Sequence, residues 1–209
     1  MSSPVTAVLF DYGMVLSGPP DAEALARLLK VFGLDEATFR AAYWKFRDDY
    51  DRGHLGGDAY WHAVAAMLKH SLTADELAEL IAADVALWTQ PNTPMITWAE
   101  HLRRSGVKTG ILSNIGDHME TGILHKLPWL RDFAHHTFSH RLGIAKPDPA
   151  IYQHAVEGLA TKAENILFID DREENIVAAR AAGMQAIQYS TQDAFVDEMR
   201  AMGHGALLG

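Results

Sequence analysis

The sequence predicts an α/β fold: a parallel, Rossmann-like sheet with helices on both faces, and a small all-helical segment inserted after the first strand. Three observations predict it. The apolar run at residues 5–10 stops at Asp11, as a buried strand does at the edge of a sheet. Residues 21–88 then show helical periodicity and no convincing strand. After Pro94, helical and strand patterns alternate, which is typical of parallel strands connected by helices.

The inserted segment is predicted to contain four helices. Leu25, Leu28 and Phe32 recur at three- and four-residue spacing, which places them on one buried helix face. Asp35 and Thr73 each stand directly before such a pattern, where a short polar side chain caps a helix N-terminus. The predicted helices cover residues 22–32, 36–50, 58–70 and 74–88.

The region after the insert supplies the remaining elements. Strands are predicted at residues 108–113, 137–139, 166–170 and 185–189, and helices at 95–105, 117–125, 150–159, 173–182 and 193–202. The segment 90–94 contains two prolines and marks the return from the insert. We therefore expect an α/β core made of residues 1–16 and 90–209, with residues 17–89 as a helical domain inserted into it.

Composition excludes several classes of protein. The 209 residues include 18 basic and 27 acidic residues, and the net charge of −9 does not favour binding to nucleic acid or to anionic membranes. The absence of cysteine excludes disulfides, thiolate catalysis and zinc–cysteine sites. No run approaches the roughly 20 apolar residues of a membrane span, and no basic segment precedes the first apolar run as in a signal peptide. A cytoplasmic location is the expectation.

Polar residues follow three of the predicted strands, at the end where parallel sheets bind their ligands. Each group alone has a structural interpretation: an aspartate as a turn residue, a Ser-Asn pair as a turn, a loop lysine as a solvated charge. Two adjacent carboxylates at a buried strand end repel one another unless a cation or a donor offsets them. Their occurrence together favours a functional site made of Asp11, Ser113, Asn114, Lys146, Asp170 and Asp171.

Four motifs in this order resemble those of the haloacid dehalogenase superfamily of hydrolases. They are Asp11-Tyr-Gly-Met-Val-Leu16, Leu112-Ser-Asn114, Lys146-Pro-Asp-Pro149, and Phe168-Ile-Asp-Asp171 followed by Asn175 and Gly183. The helical insert resembles the C1-type cap of the first subfamily. Within that subfamily, the chain is similar to a subgroup with glycine two residues after the first aspartate. That subgroup includes sugar-phosphate phosphatases and domains fused to epoxide hydrolases.

The resemblance implies a role for each motif. Asp11 matches the nucleophile that attacks phosphorus and forms an aspartyl-phosphate. Ser113 and the backbone around Asn114 match the loop that binds the phosphoryl group. Lys146 matches the lysine that bridges the nucleophile and the phosphoryl oxygens, and its charge favours ionised Asp11.

The resemblance also implies a magnesium site and residues that touch substrate. Mg²⁺ takes one or two carboxylates together with water and substrate phosphate. The matching ligands are Asp11, Asp170 and the carbonyl of Gly13, with Asp171 binding through water. Asn175 is expected to orient the loop or Ser113, and Asn114, Gly13 and Asn175 are expected to lie against the substrate.

One departure from the family pattern affects the chemistry. Most phosphatases of the superfamily carry a second aspartate where this chain has Gly13, and that residue protonates the leaving alcohol. General acid–base help is worth about 10²–10⁴-fold. Three consequences compete. Water or a cap side chain substitutes, with Asp48, Asp51 and His54 as candidates by residue type. A substrate with a good leaving group, such as an anomeric sugar phosphate, needs less help. Or turnover is slow or lost.

The first two consequences are favoured because the other site residues remain. In the insert, Tyr43, Arg47, Asp51 and His54 are expected to line the substrate mouth, although alternating charges on a helix are commonly a solvated face. Arg47 or Lys45 would offset the negative charge of the chain for an anionic substrate. Trp44 and Trp61 are expected in the core of the insert.

The resulting prediction is a Mg²⁺-dependent phosphatase of a small phosphorylated metabolite such as a sugar phosphate, monomeric or homodimeric, with neither a nucleic-acid nor a membrane partner. Two alternatives stay open. A 2-haloacid dehalogenase of the same superfamily needs no metal and usually lacks the paired aspartates seen at Asp170 and Asp171. A phosphate-binding or partner-docking module without turnover would account for Gly13.

Overall fold

Five parallel strands form one sheet in the order β3-β2-β1-β4-β5 in a computed structural model that describes residues 4–209. Residues 1–3, with which the predicted core begins, lie outside the described residues. The central strand β1 pairs with β2 on one side and with β4 on the other. This arrangement confirms the predicted α/β class. The strands are β1 (Ala7–Phe10), β2 (Lys108–Ser113), β3 (His135–Phe138), β4 (Ile166–Asp170) and β5 (Gln185–Gln188).

Alternation along the strands divides the apolar core between the two faces of the sheet. Val8 and Phe10 of β1 pack on one face and Ala7 and Leu9 on the other, because successive side chains of a strand point in opposite directions. One cluster includes residues of the helices at 93–104, 117–126 and 192–201, and the other includes residues of the helices at 149–159 and 173–181. Both faces are therefore covered.

The insert consists of five helices with an apolar cluster of its own. The buried members of this cluster come from residues 24–87, and Trp61, Tyr60 and Leu28 are among its fully buried side chains. Asp21, Asp35 and Thr73 accept hydrogen bonds from backbone N–H groups at helix N-termini. The helices are α1 (Ala22–Phe32), α2 (Glu36–Lys45), α3 (Arg47–Asp51), α4 (Gly57–Met67) and α5 (Ala74–Leu87).

Six helices follow the insert. They are α6 (Thr93–Arg104), α7 (Asp117–Lys126), α8 (Ser139–Leu142), α9 (Pro149–Leu159), α10 (Glu173–Ala181) and α11 (Gln192–Ala201). Three short 3₁₀ turns lie at Pro128–Asp132, Ala163–Asn165 and Gly205–Leu207. Among residues 4–209, no helix has the length and apolar character needed to cross a membrane.

Two local predictions were wrong. The single helix expected over residues 36–50 is broken at Phe46, whose φ of −110° and ψ of 3° end α2 and turn the chain into α3. The break lets α3 contact α8, which the sequence analysis did not predict. Residues 139–142 lack the length of a recognisable helical period, so α8 was missed. The other boundaries agree with prediction to within three residues.

The insert and the sheet region meet along closely packed glycines. A Cβ at Gly116 would lie 2.2 Å from the ring of Tyr50, and one at Gly122 would lie 2.4 Å from Cγ2 of Val85. The Tyr50 hydroxyl also accepts a hydrogen bond of 3.2 Å from the backbone N–H of Met119. Gly116, directly before α7, and Gly122, within it, thus allow α3 and α5 to approach closely. This contact places the insert over the carboxyl ends of β1 and β2.

Candidate active site

A cavity of about 400 Å³ lies at the carboxyl ends of the strands, between the sheet and the insert. Strand register explains which residues form its floor. Phe10 pairs with Ile111 of β2 and with Ile169 of β4, and the N–H of Asp11 donates to the Ile169 carbonyl across 2.8 Å. The lining residues are Asp11, Tyr12, Gly13, Met14, Trp44, Arg47, Asp48, Asp51, Trp88, Ser113, Asn114, Ile115, Met119, Lys146, Asp171, Arg172 and Asn175.

A buried lysine connects two carboxylates at the floor of the cavity, which is defined here as Asp11, Lys146, Asp170 and Asp171. Nζ of Lys146 lies 2.9 Å from Oδ1 of Asp11 and 2.6 Å from Oδ2 of Asp170. Asp170 is fully buried, and the side chains of Lys146 and Asp11 are 1% and 11% exposed. Burial alone would lower the pKa of Lys146, but the two carboxylates outweigh it and raise that pKa. Lys146 is therefore a fixed positive charge.

The carboxylates at the floor carry more negative charge than one lysine balances. Burial raises the pKa of Asp11 to about 7, and Asp170 and Asp171 add to the rise while Lys146 opposes it. Burial also raises the pKa of Asp171, with Asp170 as the next contributor. One carboxylate oxygen from each aspartate lies within 4.8 Å of the others. Three hard oxygen donors at this spacing suit a magnesium ion.

Asparagines support both the lysine and Asp170. Asn114 accepts a 2.8 Å hydrogen bond from the backbone N–H of Lys146 and donates one of 2.9 Å to the Lys146 carbonyl. Asn175 donates to Oδ1 of Asp170 across 2.9 Å. Asn175 was expected to orient the loop or Ser113; in the structure its side chain holds Asp170, the last residue of β4. Ser113 is buried at the end of β2, with its neighbour Asn114 on the cavity wall.

The segment after β1 forms a tight irregular turn at the cavity. Gly13 has φ −62° and ψ 133°, and a Cβ there would meet no atom within 4 Å. Met14 adopts the left-handed conformation at φ +59°, which is uncommon for a non-glycine residue. Its backbone N–H donates to Oγ of Ser17 across 3.2 Å. The turn carries the chain from the floor of the cavity to its wall.

The insert contributes a buried ionic network to the opposite wall. Nε of Arg47 lies 3.0 Å from Oδ1 of Asp51, and Nη1 lies 3.3 Å from Oδ2 of Asp84. The Tyr43 hydroxyl donates to Asp84 across 2.7 Å and accepts from Arg47. The Asp51 carbonyl accepts from the hydroxyl of Ser139, which in turn accepts from the Ile115 N–H, so the network is tied to the floor.

A model of haloacid dehalogenase-like hydrolases matches residues 2–183. The chain belongs to this family of hydrolases. A phosphatase of Mycobacterium tuberculosis is 31% identical over 207 residues, which cover 95% of this chain and 95% of that protein.

Two Aspergillus proteins also match this chain, each at 25% identity. The alignment with a sesquiterpene phosphatase of Aspergillus oryzae covers 73% of this chain and 76% of that protein. The alignment with a drimenol cyclase of Aspergillus calidoustus covers 89% of this chain but spans only 33% of the cyclase.

The fold is shared with solved structures. A HAD family enzyme of Bacteroides thetaiotaomicron superposes with a TM-score of 0.79 at 19% identity, over 95% of this chain and 100% of that one. A structure of the same enzyme in complex with magnesium and inorganic phosphate superposes with a TM-score of 0.73.

The hydrolase cavity brings together most of the residues that the sequence analysis selected. Asp170 lies directly beneath it, bonded to Lys146. The lining includes Asp11, Gly13, Arg47, Asp51, Ser113, Asn114, Lys146, Asp171 and Asn175.

Three predictions for the insert were wrong. His54 is exposed, lies outside the lining, and contacts Asp49 at 3.3 Å, because the chain turns away at Gly53. Tyr43 is buried beneath the wall, where its hydroxyl serves the Arg47 network. Trp44 is 49% exposed and lines the cavity, whereas Trp61 is buried in the insert as expected.

Sequence reasoning missed the apolar part of the lining. Met14, Trp88, Ile115 and Met119 belong to it. Met14 and Ile115 directly follow predicted site residues, and this adjacency was the available signal. Trp88 and Met119 lie at the end of α5 and in α7, and only the packing of those helices brings them to the cavity.

Proposed function

We propose that the chain is a magnesium-dependent phosphatase that hydrolyses small phosphate monoesters through an aspartyl-phosphate on Asp11. The observation that carries this proposal is the bridge from Lys146 to Asp11 and Asp170, beside Asp171, at the floor of a cavity. A carboxylate nucleophile, a fixed positive charge and a cluster of oxygen donors are what phosphoryl transfer requires.

Asp11, Lys146 and Ser113 have separate roles in the proposed reaction. An oxygen of Asp11 attacks phosphorus, the bond from phosphorus to the ester oxygen breaks, and the alcohol leaves with a proton. Water then attacks the phosphorus of the aspartyl-phosphate, which releases inorganic phosphate and restores the Asp11 carboxylate. Lys146 stabilises the negative charge on the phosphoryl oxygens, and the Ser113 hydroxyl with the backbone at Asn114 binds those oxygens.

The donor set fits the metal that the family resemblance implies. Burial and the repulsion from Asp170 and Asp171 raise the pKa of Asp11 to about 7 despite Lys146, so a further cation at this site would stabilise the ionised carboxylates. Asp11, Asp170, Asp171 and the Gly13 carbonyl are the groups proposed to hold Mg²⁺. When bound, the ion neutralises phosphoryl charge and lets the phosphate approach Asp11.

Asp51 is the group proposed to replace the acid missing at Gly13. Of the three candidates, His54 lies outside the cavity, and the side chain of Asp48 is 73% exposed and paired with Arg52. Asp51 lines the cavity with a side chain that is 14% exposed and is held by Arg47. In this role it protonates the leaving alcohol and then takes a proton from the attacking water.

The insert is proposed to act as the cap of this enzyme. Residues 17–89 would form the cap and residues 1–16 and 90–209 the catalytic core. Support comes from the separate apolar cluster of the insert and from the position of Arg47 and Asp51 over the floor. Docking of α3 against α8 and α7 keeps these two residues at the cavity.

The names of relatives support the reaction class. The relative from M. tuberculosis is named a phosphatase and the one from A. oryzae a sesquiterpene phosphatase. The paired carboxylates Asp170 and Asp171 favour phosphoryl transfer over the metal-independent attack of a dehalogenase on carbon.

Phosphate release from a panel of small esters, with magnesium and with a chelator, tests this function. The native protein should release phosphate only with magnesium, and Asp11→Asn should release none. Chloride release from a 2-chloro acid, undiminished by chelator, would establish the dehalogenase instead. Binding of a phosphate ester without turnover in the native protein would establish the binding module.

A further inference from the structure

Above its charged floor, the cavity has an apolar wall. The wall is defined here as Met14, Trp44, Trp88, Ile115 and Met119, all of which line the cavity. Met14 and Trp44 are 37% and 49% exposed, which is unusual for side chains of this size. Exposed apolar surface that adjoins a set of convergent polar groups is typical of a ligand site.

Packing holds the two exposed members of the apolar wall in place. The Trp44 ring stands edge-to-face on the buried ring of Tyr43, with centroids 5.0 Å apart at 89°. Tyr43 is itself fixed by Asp84 and by the Trp88 indole N–H, which donates to its hydroxyl across 3.2 Å. The Met14 backbone is held at a positive φ by its bond to Ser17. A ring held in this way, as that of Trp44 is, needs little ordering on binding.

Polar side chains of the cavity are largely engaged by protein partners. Both ends of the Asn114 amide bind the Lys146 backbone, and Arg47 is shared between two carboxylates. Asp48 pairs with Arg52. Two further pairs are Asn175 with Asp170 and Arg172 with Glu174. A polyhydroxylated ligand would therefore place hydroxyls against apolar side chains, where each hydroxyl that loses water without a new partner costs binding energy.

We propose, on the basis of the phosphatase function, that the substrates are phosphate monoesters of apolar alcohols rather than of sugars. The phosphate lies at Lys146 and the aspartates, and the hydrocarbon part contacts the apolar wall between Trp44 and Met14. Burying hydrocarbon there removes apolar surface of both ligand and protein from water. A sugar ring gains little from this wall and forfeits hydrogen bonds to water.

Benzyl phosphate, hexyl phosphate and glucose 6-phosphate form a suitable panel because each releases a primary alcohol. In saturating magnesium, kcat/KM for benzyl and hexyl phosphate should exceed that for glucose 6-phosphate by at least about tenfold, the lower end of what one methylene in an apolar pocket contributes. Equal or higher kcat/KM for glucose 6-phosphate would overturn the proposal.

Substitutions in the apolar wall test whether it causes the preference for benzyl phosphate over glucose 6-phosphate. Trp44→Ala should lower the benzyl-to-glucose ratio of kcat/KM by about tenfold, and Trp44→Phe should retain most of it. Met67→Ala serves as the matched control, because Met67 is 50% exposed and lies outside the cavity lining. An unchanged ratio in both Trp44→Ala and Met14→Ala would show that the wall does not contact the substrate.

Binding measurements without turnover distinguish failure of the apolar-substrate proposal from failure of the phosphatase function. Calorimetry on Asp11→Asn with magnesium should show tighter binding of benzyl phosphate than of glucose 6-phosphate. If the native protein hydrolyses no ester yet this preference is present, the phosphatase function fails and the apolar site stands. If neither hydrolysis nor preferential binding is seen, both fail.

Discussion

Nε of Arg47 donates to Oδ1 of Asp51 across 3.0 Å, on the wall of the cavity that faces Asp11 and Lys146. The same guanidinium contacts Asp84, so one buried cation is shared by two carboxylates. Arg47 thereby fixes the position of Asp51. This arrangement underlies the first prediction, because a general acid must be held in place.

Asp51→Asn should lower kcat/KM for benzyl phosphate by about 10²–10⁴-fold, since the alcohol then leaves without a proton from the protein. This ratio covers the steps up to release of the alcohol, so the role of Asp51 as base in the later attack of water does not enter it. The effect on p-nitrophenyl phosphate should be no more than a few-fold, because its phenolate leaves readily without one. Steady-state kinetics on the two esters checks this. Asp48→Asn is the matched control, and a loss of equal size on both esters in Asp51→Asn would refute the acid role.

The pH dependence of benzyl phosphate hydrolysis should reflect the ionisation of Asp51. Burial raises the pKa of Asp51 to about 6, opposed by Arg47 and reinforced by Asp84 and Asp48. Because the protonated form donates in the first step, kcat/KM for benzyl phosphate should fall as the pH rises above this value. The descending limb should be absent for p-nitrophenyl phosphate and in Asp51→Asn. A descending limb that survives in Asp51→Asn would belong to another group.

Gly13→Asp places a carboxyl group at the position where most phosphatases of the superfamily carry the acid. The backbone at Gly13 is in an ordinary conformation, and a Cβ there meets nothing within 4 Å, so the variant should fold normally. Its activity on aryl or anomeric phosphates should stay within a few-fold of native, while in an Asp51→Asn background it should restore benzyl phosphate hydrolysis. A several-hundred-fold gain on aryl esters in the single variant would show that the natural site is impaired.

Lys146→Met should cost stability as well as activity. Removing the ammonium leaves Asp11 and the fully buried Asp170 without their cation, and breaking a buried ion pair on one side typically costs about 3–5 kcal/mol. Urea unfolding in the presence of chelator measures the loss. Exposed Lys162 provides the control, and Lys162→Met should stay within about 0.5 kcal/mol of native. Equal stability of the two variants would contradict the ionic bridge.

The floor of the site could be predicted from sequence because each residue stands at the end of a strand. Residues 108–113 and 166–170 form β2 and β4 as predicted, and parallel pairing with β1 then brings Asp11, Ser113 and Asp170 to one edge. Lys146 lies on a loop without periodicity, so its occurrence with the strand-end residues suggested that it belongs to the site, and only the family motif implied its role.

The side chains that the insert contributes to the cavity could not be predicted in the same way. Their positions depend on the break at Phe46, where the sequence has neither glycine nor proline, and on the packing of α3 against α8. The break changes the direction of the residues after Phe46, among them Arg47 and Asp51, relative to Tyr43 and Trp44 on α2. Tertiary contacts decide which of these two neighbours is buried, and Asp84, from a different helix, decides where the Tyr43 hydroxyl points.

The contact between α5 and α7 is the basis of the last prediction. A Cβ on Gly122 would lie 2.4 Å from Cγ2 of Val85, so Gly122→Ala should push the helices apart and cost about 1–3 kcal/mol by overpacking. Because α5 carries Asp84 and leads into Trp88, KM for benzyl phosphate should rise as well. Urea unfolding and steady-state kinetics measure the two effects.

Val85→Ala in the Gly122→Ala background supplies the decisive comparison. The double variant removes the methyl groups that the new Cβ meets, so it should recover part of the stability and of the native KM. The two substitutions are in contact and their effects should therefore be non-additive by about 0.5–3 kcal/mol. Strictly additive losses would mean that Gly122 acts through α7 alone and that the position of the insert over the floor does not depend on this contact.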